Sequence, residues 1–350
     1  MTHRRRTLLA LIGLLALLSS ACGGDVSTTT TTELTTSTSA PPETTTTTAP
    51  STTTSTSSDS GDANPSLEFL YESGYTYSDE YVVEVAVRDI DSGTGGLAVA
   101  DDGTFFQADF GYPGHVGNSV YRIGTDGSVE TFAQSDDMES LTMTTFGADG
   151  NLYQSSYGSG QLFRLGDDGS VELVAEGIGG PTGIVALEDG TLFVEGYNSG
   201  ILHKIEPDGT MTEFATHPDF NGSNGLTIGP DGTLYAVNHR DGGLFSITQD
   251  GTVTKLHEFP WQTSHVAYLD GGLFITSRGI FIIYRYDLET GETHLIAGNA
   301  EPGDMDGRGI ESYFGRTNAI TVGPDGSLYF NHADGSSNSP VHIRRITHQP

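Results

Sequence analysis

The stretch Asn224-Gly225-Leu226-Thr227-Ile228-Gly229-Pro230-Asp231-Gly232-Thr233-Leu234-Tyr235-Ala236-Val237 decides the fold. Two short apolar runs flank a Pro-Asp-Gly turn, where the glycine supplies a positive φ, so the segment reads as two strands and a tight turn. Leu244 to Ile247 follows as a third strand, Asp250-Gly251 turns again, and Thr252 to Leu256 is the fourth. The core of this unit, Asp-Gly-x-Leu/Phe-Tyr/Phe, begins at Asp102, Asp149, Asp189, Asp231, Asp270 and Asp325. The turn glycines are mostly spaced by about 40 to 47 residues, the period of a four-stranded propeller blade. Paired apolar neighbours such as Leu234-Tyr235 suit strands covered on both faces. No helical periodicity interrupts the pattern. The expected fold is all-β, a six-bladed β-propeller over residues 67–350.

The last copy offers only three strands, near Ala319–Val322, Leu328–Phe330 and His342–Ile346. Tyr81 to Val87 lies upstream of the first copy and has strand composition, so it is expected to complete the last blade and close the ring. Closure removes the exposed strand edges that promote aggregation.

The first 66 residues read differently. Arg4, Arg5 and Arg6 precede an apolar run from Leu8 to Leu18, then Ser19-Ser20-Ala21 and the only cysteine, Cys22. Residues 1–21 have the pattern of a secretory signal, too short for a stop-transfer span. The small residues before Cys22, with Gly23-Gly24 after it, resemble a bacterial lipoprotein signal, which implies a lipidated Cys22. Ordinary secretion with an unpaired Cys22 is the alternative reading. Arg5-Arg6-Thr7-Leu8-Leu9 is similar to a twin-arginine export signal, and a plain basic start explains it equally. Residues 22–66 are dominated by Thr, Ser, Pro and Ala and are expected to form a disordered stalk reaching roughly 35 Å. The expected location is the outer face of the cytoplasmic membrane, reached only through the lipid anchor. One cysteine excludes an intramolecular disulfide, so apolar burial must hold the domain together.

The formal net charge is −31. A field of that sign argues against nucleic acid as a partner and favours cations. Surface acidity for solubility is the competing explanation. No Gly-x-Ser-x-Gly elbow, His-Glu-x-x-His, phosphate loop or Cys-x-x-Cys occurs, which argues against serine nucleophiles and structural zinc.

Three resemblances follow from particular blades. His294-Leu-Ile-Ala-Gly through Asp304-Met-Asp-Gly, then Phe314 and Asn318 to Tyr329, resembles an NHL repeat. Gly180-Pro181-Thr182-Gly183-Ile184 onward to Phe214 is similar to a streptogramin (virginiamycin B) lyase blade. Ser223-Asn224-Gly225-Leu226 with Pro230-Asp231-Gly232 resembles the senescence-marker-protein/gluconolactonase family. The last resemblance implies a metal ligand at Asn224. The lyase resemblance implies a His base before an inner strand, with glutamates holding Mg²⁺. His265 and Glu195 correspond in kind, from different blades. Thr182 stands in the His slot of its own blade, and Thr263-Ser264-His265 lacks the gluconolactonase acid.

Ligands of propellers bind at the channel mouth, where loops enter the first strand and leave the second. Those loops carry Asp109 and His115, Glu139 and Tyr157, Glu195, Tyr197 and Asn198, then Asn224, Asn238, His239 and Arg240. Trp261, His265, Arg278, Asn318, Asn331 and His332 follow. Carboxylates and amide oxygens suit a hard cation such as Ca²⁺ or Mg²⁺. Glu195 and Asn224 are the metal candidates and His265 the candidate base. The others are ligand-binding candidates, although turn or packing roles explain Asn238, His239, Asn331, His332 and Trp261 as well.

Two function classes emerge. One is a tethered, monomeric protein whose mouth binds a small molecule, saccharide, wall component or protein. The other is a metal-dependent lactonase- or lyase-type enzyme acting at the same mouth.

Overall fold

The computed structural model describes residues 65–335 and 338–350. The expected signal, Cys22 and most of the stalk lie outside the described residues. Six sheets of antiparallel strands succeed one another, one for each copy of the repeat. The first four are simple four-stranded blades. Their inner strands are Thr94–Val99, Leu141–Phe146, Pro181–Ala186 and Ser223–Ile228. Blade five starts from Thr263–Leu269, and Thr76–Tyr77 adds a parallel strand at its outer edge. Blade six starts from Arg316–Val322, and its outer strand is Tyr81–Ile90, paired antiparallel with Val341–His348.

Inner strands and their partners are nearly continuous runs of buried residues, whereas outer strands alternate with exposed positions. Each gap between neighbouring blades is filled by its own apolar cluster. Phe106 and Val120 of blade one, for example, meet Leu141, Leu152 and Phe163 of blade two. Val185 and Phe193 of blade three likewise meet Leu226, Leu234 and Phe245 of blade four.

The repeated aspartates cap their own turns. In five copies the Asp Oδ1 accepts the backbone N–H two residues on, as in Thr233 N–H to Asp231 at 3.0 Å. These bonds hold the carboxyls below the usual carboxylate range. The fifth copy differs, because Leu269 pairs directly with Gly272. Asp270 and Gly271 there take φ of 47° and 75°, the two-residue hairpin turn for which Asp-Gly is suited.

One element departs from the all-strand expectation. Pro65–Glu72 is an α-helix. Its Leu67 and Leu70 pack into the cluster shared by blades four and five. Eight residues with two inward leucines give too short a period to stand out from sequence. No helix among the described residues is long and apolar enough to cross a membrane.

The long loop before the last inner strand is tied to the final strand. Arg344, fully buried, pairs with Asp304 and Asp306, and its Nε lies 3.2 Å from His332 Nε2. His332 Nδ1 accepts Gly315 N–H at 3.1 Å, and burial beside Arg344 holds the ring well below the usual histidine range. His332 is thereby a fixed part of this loop anchor.

Candidate functional site

The channel neck is built from one position repeated in every inner strand, and its polar side chains stitch blade to blade. Thr142 Oγ1 donates to Pro181 O at 2.8 Å, and Thr182 Oγ1 to Ser223 O at 3.0 Å. Asn224 Nδ2 donates to Ser264 O at 3.0 Å, and Ser264 Oγ to Asn318 Oδ1 at 2.7 Å. Asn318 Nδ2 carries the series on to Thr94 O and Gly95 O of blade one at 3.0 and 2.9 Å, where it stops, because the repeated position there is Gly95. Small polar side chains suit this place because each must reach a neighbouring carbonyl without closing the channel.

Above the neck, the residue five after the repeat's Leu/Phe points to the mouth. In blades one to five it is Phe110, Tyr157, Tyr197, His239 and Arg278. The first four form an aromatic chain. Ring centroids are 6.3 Å apart for Phe110–Tyr157, 5.8 Å for Tyr157–Tyr197 and 6.3 Å for Tyr197–His239. With Thr94, Thr142, Thr182, Asn224 and Asn318 they line a cavity of about 250 Å³. No carboxylate is among the lining residues.

Arg278 is the charged group of this cavity. Its Nη1 donates to Thr317 O and Asn318 Oδ1, both at 3.2 Å, and its Nη2 to Asn338 Oδ1 at 2.9 Å. Burial, with Arg316 nearby, pulls its pKa down to about 10, so it stays charged at neutral pH. His239 Nδ1–H donates to Thr263 O at 2.6 Å. Burial, then the charges of Arg278, Arg316 and Arg240, hold His239 below the usual histidine range.

The remaining candidates take other places. Glu195 is buried, its Oε1 accepting Ser223 Oγ at 2.5 Å, and desolvation pushes its pKa up to about 8. Its Oε2 lies over Gly183, where a Cβ would come within 2.4 Å of it. His265 is enclosed with neither ring nitrogen partnered, and burial, Arg278 and His239 bring its pKa to about 3. In this arrangement the ring offers the cavity no nitrogen and is a very weak base. Asn238 is buried and donates to Asn221 O at 3.0 Å while accepting Arg240 N–H at 2.7 Å. Asn331 is buried between Gly95 O, Gln107 Oε1 and Ala319 N–H, each within 3.0 Å. Both amides fix backbone.

Arg240 is exposed on the rim, its guanidinium 4.9 Å from the Tyr197 ring centre. Glu139 is exposed at the rim and outside the lining. Trp261 packs edge-on against Phe69 of the helix at 5.2 Å. Asp109 Oδ2 pairs with His115 Nε2 at 2.5 Å, and its Oδ1 accepts Gly93 and Gly111 N–H at 2.7 and 2.8 Å.

Comparison with known proteins places this geometry. The virginiamycin B lyase family matches residues 80–267, which spans the first four blades and the start of the fifth. The chain belongs to that family. No curated protein matches the sequence. Among solved structures, virginiamycin B lyase from Staphylococcus aureus, in a catalytically inactive form with quinupristin, is similar with a TM-score of 0.55 at 19% identity. The match covers 77% of this chain and 99% of that one. A gluconolactonase from Xanthomonas campestris is similar with a TM-score of 0.57 at 16% identity, over 76% of this chain and 89% of that one. An auxiliary nutrient-binding protein from Bacteroides ovatus reaches a TM-score of 0.62 at 12% identity, covering 77% of each chain. At these identities the likeness is one of fold.

The family resemblance implies a divalent ion, and the residues present can be tested against it. No group of three or more His, Cys, Asp or Glu able to hold a metal occurs among the described residues. Glu195 and Asn224 offer one carboxyl, already bonded to Ser223, and one amide oxygen. Ca²⁺ takes six to eight oxygens and Mg²⁺ near-ideal octahedral geometry. Glu195 lies outside the cavity that Asn224 lines, and the Arg278 guanidinium within that cavity opposes a cation beside Asn224. This donor set does not fit the ion.

Proposed function

We propose that the protein is a surface-tethered extracytoplasmic lipoprotein whose propeller mouth binds a small ligand. The observation that carries the binding part is the mouth cavity itself, where an aromatic chain and a fixed guanidinium converge in about 250 Å³. Rigid rings plus a few placed polar groups are the usual composition of a small-molecule site. The tether part rests on Cys22 and the Thr/Ser-rich segment behind it. A calorimetric screen of monosaccharides, organic acids and wall fragments tests the site. Binding of a hit should weaken about tenfold or more in Tyr157→Ala and Tyr197→Ala. A hit indifferent to both changes would place binding elsewhere. Cys22→Ser should move the protein from the membrane fraction to the soluble one.

A second reading, a metal-dependent lyase or lactonase, has family membership in its favour and the donor set against it. Turnover of quinupristin that EDTA abolishes and Mg²⁺ restores would establish it. Absence of turnover, with no change in melting temperature at millimolar Ca²⁺ or Mg²⁺, would dismiss it.

A further inference from the structure

The chemistry of the mouth also bears on the charge of its ligand, an inference that rests on the mouth being the binding site. The protein carries a net charge of −31, yet the cavity lining contains Arg278 and His239 and no carboxylate. Of the acids that approach this end of the blades, Glu139 is exposed on the rim outside the lining, and the others are engaged elsewhere. Asp109 is tied to His115 and two backbone N–H groups, and Asp334 Oδ1 pairs with His342 Nε2 at 3.0 Å. Glu195 lies outside the lining, bonded to Ser223.

Arg278 itself meets only neutral acceptors, the Thr317 carbonyl and the amides of Asn318 and Asn338. These three bonds fix the plane of the guanidinium. They leave Nε–H and one Nη2–H with no acceptor among the described residues. Arg316 stands close by and forms no ion pair among the described residues. In a protein with three acids for every base, a held guanidinium without a counter-charge is unusual, because a carboxylate partner would normally compensate it. The missing partner can be supplied by a ligand.

We infer that the mouth binds a small organic anion, a carboxylate carried on a flat or pyranose ring. Arg278 receives the carboxylate, and the Phe110–Tyr157–Tyr197 wall packs against the ring. The guanidinium fork matches a carboxylate, and its pre-formed orientation reduces the entropy lost on binding. The aromatic wall supplies apolar contact that carries no sign of charge. The arrangement therefore selects by charge at one end and by shape along the other.

Isothermal calorimetry on the full-length protein at fixed ionic strength tests this with sodium glucuronate, glucose, sodium benzoate and calcium chloride. Binding of glucuronate or benzoate is expected, with glucose at least about tenfold weaker than glucuronate. Arg278→Ala should weaken the bound anion about 10- to 100-fold, and Arg278→Lys less, since it keeps the charge without the fork. Arg122→Ala, on an exposed pair with Glu130 in an outer strand, should change nothing. Equal binding of glucose and glucuronate, both lost in Tyr157→Ala, would overturn the anion and leave the mouth as a neutral-saccharide site. Calcium binding lost in Asn224→Ala would overturn it in favour of a cation. Anion binding unmoved by Arg278→Ala and by Tyr157→Ala would remove the mouth site altogether. If neither anion binds at concentrations on the order of 10 mM, the inference also fails, whatever the variants do.

Discussion

Glu195 and His265 show how burial separates a side chain's chemical type from its behaviour. Each came from sequence as a reactive group, and each is held neutral by desolvation, one with its proton and one without. The consequences for stability have opposite signs. Glu195 has a folded pKa raised from 4.5 to about 8, so its contribution is full below about pH 4.5 and is lost as pH rises through 8. His265 has a folded pKa lowered from 6.5 to about 3, so its contribution is present above about pH 6.5 and is lost as pH falls toward 3. From these two groups stability is level between roughly pH 4.5 and 6.5. The loss attached to Glu195 amounts to at most about 5 kcal/mol. Urea unfolding of Glu195→Gln should therefore show a higher midpoint than the parent at pH 9 and a flatter dependence above pH 6. Parallel curves for the two proteins would mean that Glu195 titrates normally.

At the scale of the element, the blade is a ruler, and much of the molecule is legible with it. Six Asp-Gly turns specify six hairpins because only a residue tolerating positive φ can close them, and they do so in the structure. The same ruler would have found the mouth, since counting five residues from each Leu/Phe gives Phe110, Tyr157, Tyr197, His239 and Arg278. By reactive type Asp109 stands out there and Phe110 does not, yet the structure turns Asp109 into the backbone. What the sequence could not show is which polar groups face a neighbour. Asn331 and Asn318 look alike in the string, yet one is enclosed between two backbone groups and the Gln107 side chain and the other reaches both a blade edge and the cavity. The short helix was also hidden, because two leucines make no period.

The stitching at the neck has a measurable cost. Asn318→Ala removes donors to two carbonyls and the acceptor of Ser264 and Arg278, and should destabilise by about 2–4 kcal/mol in urea unfolding. A change below about 0.5 kcal/mol would mean that this series of bonds is dispensable. Deleting Tyr81 to Val87 removes most of the outer strand of blade six and uncovers Val341–His348. Loss of soluble, folded protein is expected, read by expression and circular dichroism, and an unchanged melting transition would contradict that role.

For the whole molecule, the contrast is between an acidic protein and a basic mouth. Alternating strand direction puts the Asp-Gly turns at the end of the blades opposite the mouth, where their carboxyls are bonded to their own backbone. The net charge of −31 is thus distributed over turns and rim, while Arg278, Arg316, Arg240 and His239 gather on the mouth side of blades four to six. An overall negative charge read from composition pointed to cationic partners. The local geometry points the other way, and local geometry decides at a distance of a few ångströms, where screening by salt is incomplete. The same fold occurs in a lyase, a gluconolactonase and a nutrient-binding protein, so the reaction or ligand must come from the site.

The most direct measurement is a crystal structure of the protein soaked with sodium glucuronate. The account predicts the sugar in the mouth, its carboxylate on Arg278 and its ring against Tyr157 and Tyr197. Glucuronate bound elsewhere, or a divalent cation held by Glu195 and Asn224 in its place, would contradict it.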